Sequence, residues 1–221
     1  PREQLQEVYV SESFLEKCSC REHLEEVGYE VVSDSVFSKI SDTCTPQGVL
    51  CVLKQFHYNI EEMLRDKAPL FLLLENIQDP GNLGTMLRTG EGAGVSGIIM
   101  SRDTVDLYNP KVIRSTMGSI YRVPFYYADD FAAAVHQVQR AGVSVYAAHL
   151  RGKNSYACQD YTKGTAFLIG NEGNGLREET AELADCYIRI PMEGKVESLN
   201  AAVASSILMY EAHRQRATIE K

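Results

Sequence analysis

The sequence has no apolar run long enough to cross a membrane. Its longest apolar runs hold about five residues, against the ~20 that a membrane-spanning helix needs. The chain opens on Pro1 and further polar residues with no apolar core behind them, so we expect no signal peptide. A start at proline instead of methionine leads us to expect a trimmed or truncated chain. The prediction is a cytoplasmic protein without a membrane anchor.

The six cysteines form no pair of C-x-x-C motifs, which are the usual signature of a structural zinc site. The spacing Cys18-Ser19-Cys20 lacks the second pair that would complete a metal centre. Four of the six cysteines lie in or beside apolar runs, where cysteine behaves as a small hydrophobic residue. We therefore expect reduced thiols, a cytoplasmic location and no bound metal.

The sequence also lacks a surplus of positive charge. Its formal net charge is −8, which argues at first against a nucleic-acid partner. The distribution weakens this argument, because residues 1–66 carry 13 acidic and 6 basic residues whereas residues 67–221 carry 17 and 16. The longer part can therefore hold a local basic face, for which Lys111, Arg114 and Arg122 are the candidates. Charge alone neither establishes nor excludes RNA.

The length of 221 residues, with 44% hydrophobic and 24% charged residues, fits one or two globular domains. A polar segment at Asn59–Lys67, which fits a linker or a short surface helix, predicts a boundary between a small α/β domain at 1–66 and a larger domain at 67–221. Within the small domain the pattern predicts three strands and one helix that ends at Gly28. The strands are Leu5–Val10, Glu30–Val32 and Val49–Leu53, and the helix is Cys20–Val27.

From Pro69 onward, short apolar runs alternate with amphipathic segments, a pattern typical of a mainly parallel sheet with helices on both faces. The predicted strands are Leu70–Leu74, Gly97–Met100, Val143–Ala148, Ala166–Ile169 and Cys186–Ile190. The predicted helices are Asn82–Gly92, Asp130–Ala141, Glu178–Ala184 and Leu199–Arg214. The fold class predicted from the pattern is therefore α/β.

Polar loops that contain glycine follow three of these strands, at Glu75–Asn82, Gly170–Gly175 and Pro191–Ser198. Ligands bind outside the carboxyl ends of strands in open α/β sheets, so the three loops are the candidate site. A literal G-x-G-x-x-G occurs at residues 92–97, but it precedes a strand instead of following one. We reject it as a dinucleotide fingerprint for that reason.

Single residues in these loops allow a structural and a functional interpretation. Asn82 and Ser198 lie where helices are predicted to start, so each is a candidate N-cap. Gly84 and Arg88 share a helical face. A glycine beneath an arginine permits close approach of a partner, although a solvated arginine is the simpler interpretation. Glu172 fits an exposed turn or a contact with substrate or arginine equally well.

Three segments together amount to a family resemblance. They read N-L-G-T-M-L-R-T at 82–89, L-I-G-N-E-G-N-G-L at 168–176 and I-P-M-E-G-K-V-E-S-L-N-A-A-V-A at 190–204. They resemble, in the right order, the three signature motifs of the SpoU (TrmH-like) RNA ribose methyltransferases of the SPOUT class. Residues 1–66 are similar to the later part of the ribosomal-protein-like substrate-binding domain that precedes the catalytic domain in many ribosomal RNA members.

The resemblance implies a C-terminal trefoil knot in the sheet, which pattern reasoning alone would not propose because knots are almost absent among folds. It also implies S-adenosylmethionine as cofactor, a homodimer, and transfer of a methyl group to a ribose 2′-hydroxyl, in ribosomal RNA above all. A helix rich in small residues at Leu199–Tyr210 suits close packing within its own domain or against a second subunit.

The resemblance further assigns roles to particular positions. Residues that match the family's catalytic and signature polar positions are Arg88, Asn82, Glu172, Ser198 and Asn200. Residues that match or flank its cofactor contacts are His149, Leu150, Gly170, Ile190, Met192 and Leu199. The family often has Val-Ser where this chain has Ala201-Ala202, a departure that leaves the signature polar residues in place.

Arginine's pKa above ~12 makes it a reluctant base, so we interpret Arg88 as an electrostatic stabiliser of the developing alkoxide, with direct base action as the alternative. Three rival functions remain at this stage. They are a transfer RNA ribose methyltransferase, a methylation-inactive RNA-binding or ribosome-assembly protein, and an unrelated nucleotide-binding enzyme that binds NAD.

Overall fold

The computed structural model describes residues 2–19 and 21–219, and the chain divides into two compact units between Phe56 and His57. This division falls before the predicted boundary at residue 66. The reason is that Ile60 and Met63 are buried in the core of the second unit, so the segment is not a linker. Cys20, the first residue of one predicted helix, lies outside the described residues.

The first unit is built around a three-stranded sheet. The strands are β1 (Leu5–Ser11), β2 (Glu30–Val32) and β3 (Val49–Leu53), and the helices are α1 (Glu12–Lys17), α2 (Arg21–Val27) and α3 (Asp34–Ile40). The order is β2-β1-β3, with β2 parallel and β3 antiparallel to the central strand. Val8, Val10 and Leu24 form its small core. All three strands lie where the sequence predicts them.

The second unit contains a seven-stranded sheet in which every pair of neighbouring strands is parallel. Its strands are β4 (Leu70–Leu74), β5 (Gly97–Ser101), β6 (Phe125–Ala128), β7 (Ser144–Ala148), β8 (Asn154–Ser155), β9 (Thr165–Ile169) and β10 (Cys186–Arg189). Its helices are α4 (Ile60–Met63), α5 (Pro80–Ala93), α6 (Pro110–Ser115), α7 (Phe131–Arg140), α8 (Glu178–Ala181) and α9 (Ala201–Ile219). The strand order is β6-β5-β4-β9-β7-β10-β8.

The central strand β4 shows why the apolar runs predict this sheet. Leu72 pairs with Ile98 of β5 on one side and with Phe167 of β9 on the other. Phe71 and Leu73 pack in the cluster that includes α7, and the alternate residues, which point to the opposite face, are also fully buried. A strand buried on both faces has no polar alternation, so it reads as a continuous apolar run.

The predicted α/β class with a mainly parallel sheet is confirmed. The elements that the sequence did not predict include strands β6 and β8 and helices α1, α3 and α6. Gly94 ends α5 in a left-handed conformation with φ of 78°, and Gly97 begins β5, so the literal G-x-G-x-x-G cannot cradle a phosphate after a strand. The trefoil knot is a matter of chain threading and stays a prediction.

None of the helices within residues 2–19 and 21–219 has the length and apolarity needed to span a bilayer. In the same part of the chain, no group of three or more His, Cys, Asp or Glu side chains is placed to hold a metal ion. The five cysteines described there are free thiols.

Candidate active site

Helix α5 starts immediately after the first of the three loops. Its N-cap is Asp79, whose carboxylate accepts a hydrogen bond from the backbone N–H of Asn82 at 2.7 Å, and Pro80 occupies the first turn. The prediction that Asn82 caps this helix is therefore wrong, because Asp79 already fills that place. The side chain of Asn82 is left available to bind groups outside its own helix.

Asn82 joins all three loops through two side-chain hydrogen bonds. Its Nδ2 donates to Oε1 of Glu172 in the second loop at 3.0 Å. Its Oδ1 accepts a hydrogen bond from Nδ2 of Asn200, just after the third loop, at 2.9 Å. Three of the predicted polar residues, far apart in sequence, thus form one hydrogen-bonded cluster at the carboxyl edge of the sheet.

Glu172 is held by backbone groups as well as by Asn82. Its Oε2 accepts from the N–H of Gln78 and its Oε1 from the N–H of Asp79, both at 3.0 Å. Burial raises the pKa of Glu172, but the hydrogen bonds from Asn82, Gln78 and Asp79 outweigh it, so the pKa lies below its ordinary value. Glu172 is therefore an ionised acceptor with a fixed orientation, not an exposed turn residue.

Helix α9 begins at Ala201, and Asn200 is its cap. Oδ1 of Asn200 accepts hydrogen bonds from the N–H groups of Ala202 and Val203, at 2.9 and 3.2 Å. The prediction that Ser198 is the N-cap is wrong, because the chain is still irregular there and the helix starts three residues later. Ser198 is exposed and lines the cavities described below.

The second loop, Gly170–Gly175, is a closed turn. Asn171 and Gly175 exchange backbone hydrogen bonds at 3.0 and 2.9 Å, and Gly175 has a φ of 71°. A Cβ on Gly170 would lie 2.2 Å from the carbonyl carbon of Gly175 and from the nitrogen of Leu176. Only glycine fits at position 170, because backbone atoms cannot move aside as a flexible side chain can.

A cavity of about 250 Å³ lies at the carboxyl ends of β7, β9 and β10. Its walls come from all three strand ends, from the second and third loops, and from the first turn of α9. All six residues that the resemblance assigns to the cofactor line it: His149, Leu150, Gly170, Ile190, Met192 and Leu199. Glu197, which sequence reasoning did not single out, also lines this cavity.

The imidazole of His149, which lines this cavity, is held in one tautomer. Its Nδ1 accepts a hydrogen bond from the N–H of Arg151 at 3.1 Å, and its ring packs 5.1 Å from that of Tyr187. Burial and the positive charge of Arg151 lower the pKa of His149, and Glu178 opposes them. A neutral imidazole with Nδ1 as acceptor carries its proton on Nε2, which is then a donor.

A second cavity, of about 790 Å³, opens beside the first. The β4–α5 loop supplies one of its walls, including Asp79, Pro80 and Asn82. The other wall it shares with the first cavity, and the shared residues are Asn171, Glu172, Gly173, Ser198 and Leu199. A small molecule in one cavity and a polymer in the other would therefore meet at Glu172.

Arg88 lies apart from this cluster within one chain. It follows Asn82 by six residues on α5, which turns its side chain about 240° around the helix axis. The side chain is exposed and lines neither cavity. The close approach predicted at Gly84 is made by the same chain, since its missing Cβ would overlap Ser115 of α6.

Helix α6 carries the predicted basic face only in part. Arg122, one of the three candidates, is paired with Glu91. Lys111 and Arg114 are exposed on α6, which adjoins the start of α5, since the hydroxyl of Ser115 donates to the carbonyl of Pro80 at 3.2 Å. The helix that carries them therefore adjoins the end of the first loop.

Sequence reasoning also missed a set of charges beneath the site, formed by Glu75, Asp103 and Arg177. Glu75 is almost fully buried directly after five buried apolar residues. That position is the signal that would have found it, because a buried carboxylate requires partners.

The fold and the two adjoining cavities are those of an α/β protein with room for ligands at the carboxyl ends of its strands. The sequence model of the SpoU rRNA Methylase family matches residues 69–210. The chain is 35% identical over 180 residues to the 23S rRNA (guanosine(2553)-2'-O)-methyltransferase RlmP of Bacillus subtilis, covering 81% of this chain and 70% of that protein. It is 32% identical to the 23S rRNA (guanosine-2'-O-)-methyltransferase RlmB of Bordetella pertussis, over 97% of this chain and 91% of that protein.

Solved structures agree. The SpoU methyltransferase AviRb from Streptomyces viridochromogenes, in complex with the cofactor AdoMet, is similar with a TM-score of 0.86 and 26% identity, over 97% of this chain and 84% of that one. An AdoMet-bound rRNA methyltransferase from Sinorhizobium meliloti has a TM-score of 0.81 and 33% identity, over 96% and 80%. The chain belongs to the SpoU rRNA Methylase family, which confirms the resemblance of the three motifs and makes it an RNA methyltransferase. The similarity of residues 1–66 to a ribosomal-protein-like domain stays a prediction.

Proposed function

We propose that this protein transfers a methyl group from S-adenosylmethionine to a ribose 2′-hydroxyl of ribosomal RNA. The observation that carries the proposal is the pair of cavities that share the wall around Glu172. The names of the relatives support the substrate, since RlmP and RlmB are both 23S rRNA 2'-O-methyltransferases. We propose the cytoplasm as the place of the reaction, which a ribosomal RNA substrate supports.

Transfer RNA is the second candidate substrate. A solved structure concerned with 2-OH methylation of C/U34 on tRNA is similar with a TM-score of 0.63 and 33% identity, but over only 68% of this chain. The RlmB of Bordetella pertussis matches 97%, which includes the first unit. Coverage of that unit favours ribosomal RNA.

The first cavity fits S-adenosylmethionine in its chemistry. Leu150, Ile190 and Leu199 offer apolar surface for an adenine ring, while the ends of three strands supply backbone donors and acceptors. The carboxylate of Glu197 suits a ligand that carries positive charge. When bound, the cofactor supplies an electrophilic methyl group. The remaining tasks, which are to orient the hydroxyl and stabilise its negative charge, fall to the protein.

The cluster of Asn82, Glu172 and Asn200 orients the reaction. Because Glu172 is ionised and already accepts three hydrogen bonds, we assign it the role of fixing the loops. Ser198, on the shared wall, is placed to contact the ribose. Holding two reactants in alignment contributes on the order of 7–11 kcal/mol, so rigid positioning is the main contribution of this cluster.

We further propose a homodimer that brings Arg88 of one protomer to the cavities of the other. Helices α5 and α9 lie side by side, with Ser206 donating to Thr89 at 3.4 Å and the hydroxyl of Tyr210 over Gly92. Their outer face carries Arg88 together with the exposed apolar side chains of Val203 and Tyr210. An exposed apolar face of this kind suits a second copy of the chain.

The first test of this function is cofactor binding. We expect calorimetry to detect binding of S-adenosylmethionine and of its demethylated product, and no binding of NAD. The reason is that the loops at the strand ends hold no dinucleotide fingerprint followed by a helix. Tight binding of NAD with no response to S-adenosylmethionine would contradict the proposal.

We assign RNA selection to the first unit, of which no described residue lines either cavity at the strand ends. A chain of residues 57–221 is expected to bind S-adenosylmethionine as the full chain does, yet to lose most of its methylation of ribosomal RNA. The excess of acidic residues in this unit means that recognition relies on shape more than on phosphate contacts.

The control for this truncation is its thermal unfolding, which shows that the remaining unit is folded. Methylation of the same nucleotide at an undiminished rate would assign recognition to the catalytic unit instead.

A further inference from the structure

The carboxylate of Glu75 is buried at the end of β4, with only 2% of its side chain exposed. It accepts hydrogen bonds from the backbone N–H of Arg177 at 2.8 Å and from the hydroxyl of Thr180 at 2.5 Å. The Nη1 of Arg177 lies 3.4 Å from the same carboxylate. A buried carboxylate is stable only with such partners, so the segment after the second loop is tied to the end of β4.

Arg177 also reaches a third strand end. Its Nη2 forms a salt bridge with Asp103, in the loop that follows β5. Asp103 in turn accepts a hydrogen bond from the hydroxyl of Ser101. The same hydroxyl oxygen accepts a hydrogen bond from the backbone N–H of Asn76 at 2.8 Å. One guanidinium therefore connects the loops after β4, β5 and β9, a use for which its rigid fork of donors is suited.

These contacts determine where the backbone of the first loop lies. The side-chain amide of Gln78 donates a hydrogen bond to the backbone carbonyl of Asp103 at 2.5 Å. The side-chain amide of Asn171 donates one to the backbone carbonyl of Asn76 at 2.8 Å. The N–H groups of Gln78 and Asp79 in this loop are the ones that hold Glu172. Glu75, Arg177 and Asp103 thus connect two parts of the site. One is the first loop, whose N–H groups donate to Glu172, and the other is the second loop, which carries Glu172.

We infer that Arg177 is a positioning residue for methyl transfer, which it aids by clamping the first and second loops in the spacing that aligns Glu172 with Asn82. This inference rests on the proposed function. Arg177 lines neither cavity, so it acts through the loops and not on the substrate. A displacement of about 1 Å in an active site can cost about 100-fold in rate, so a clamp outside the cavities can matter to the reaction.

The test is Arg177→Gln in the full chain, with Arg102→Gln as matched control. The substitution keeps the backbone N–H bond to Glu75 and removes only the side-chain links. Arg102 neighbours Asp103 and pairs with Asp129 in an exposed salt bridge that touches neither cavity. We expect Arg177→Gln to lower kcat per cofactor-binding site by about 10- to 100-fold with KM for RNA unchanged. Arg177→Lys is expected to recover part of the loss, and Arg102→Gln to match the wild type.

Amide hydrogen exchange gives a second measurement that needs no methylation. Faster exchange at Gln78 and Asp79 is expected in Arg177→Gln and not in Arg102→Gln, because their acceptor Glu172 is no longer held in place. If the wild-type protein does not methylate RNA, the proposed function is wrong. Amide hydrogen exchange still tests whether Arg177 holds the two loops in place. Unchanged exchange in a folded Arg177→Gln protein would overturn the inference, as would unchanged kcat in a wild type that is active.

Should Arg177→Gln not fold, Asp103→Asn decides the question. This substitution removes the more exposed salt bridge, between Arg177 and Asp103, and leaves Glu75 paired with Arg177. A loss of kcat by several-fold together with faster exchange at Gln78 would support the clamp. Wild-type values for both would overturn it.

Discussion

Replacing Arg88 with alanine is expected to lower kcat by about 100- to 1000-fold, the usual loss when one preorganised donor to a developing oxyanion is removed. The affinity for S-adenosylmethionine should stay within a few-fold of wild type, because Arg88 does not line the cofactor cavity. Single-turnover methylation and calorimetry measure the two quantities separately. Arg140→Ala, which removes an exposed arginine of α7 outside both cavities, is the control and should be fully active.

The same variant tests whether Arg88 acts across a dimer. Arg88→Ala keeps an intact cluster around Glu172, whereas Glu172→Gln keeps an intact Arg88. Mixing the two inactive proteins should restore about a quarter of the wild-type activity, because half of randomly formed dimers are mixed and each has one complete site. No recovery in mixtures that sedimentation shows to be mixed dimers would mean that Arg88 acts within its own chain. Full activity of Arg88→Ala alone would reduce it to a solvated surface residue.

The second large effect is expected from Gly170→Ala. The added methyl group would meet the backbone of residues 175 and 176 at 2.2 Å, so the second loop has to open and the cavity wall has to move. Overpacking of this kind costs about 1–3 kcal/mol. We expect a lower melting temperature and a loss of affinity for S-adenosylmethionine of at least about 10-fold, measured by calorimetry.

Gly194→Ala is the matched control for this substitution. Gly194 lies in the third loop, has an ordinary φ, and would place its Cβ at least 4 Å from every neighbouring atom. It should bind the cofactor as the wild type does. Equal affinities in Gly170→Ala and Gly194→Ala would show that the cavity at the strand ends is not the cofactor site.

Most of the parallel sheet could be predicted from the sequence because its central strands are buried on both faces. Leu70–Leu74 and Thr165–Ile169 have every residue buried, and this leaves an uninterrupted apolar signal. Strand β6 was missed because it is four residues long and two of these, Tyr126 and Tyr127, carry hydroxyl groups. Helix α6 was missed because six residues are too few to show a helical period.

The helix caps show where reasoning from residue type reaches its limit. Asp79 and Asn82 are both good N-caps, as are Ser198 and Asn200, and the choice within each pair depends on where the backbone turns into the helix. Asp79 and Asn200 form the caps, and all four residues line the second cavity. The motifs therefore predicted which residues gather at the sheet edge, while their hydrogen bonds required the structure.

The clamp as a whole was beyond prediction for a different reason. The signal at Glu75 does not identify its partners, because Arg177 lies 102 positions further along the chain and both Arg177 and Asp103 alone read as ordinary surface charges. Only the parallel order of β5, β4 and β9 brings the three loops together. Arg88, in contrast, was assigned a role from the sequence through the family resemblance, but the structure of one chain does not bring it to the cluster.

The measurement that tests the account most directly is the position of the transferred methyl group. Ribosomal RNA is incubated with the protein and S-adenosylmethionine labelled on its methyl group, and is then hydrolysed in alkali. Alkaline cleavage needs a free 2′-hydroxyl, so we expect the label in alkali-resistant dinucleotides, and no such label with Arg88→Ala. Label recovered in mononucleotides, as methylation of a base would give, or no label in RNA at all, would contradict a ribose 2′-O-methyltransferase.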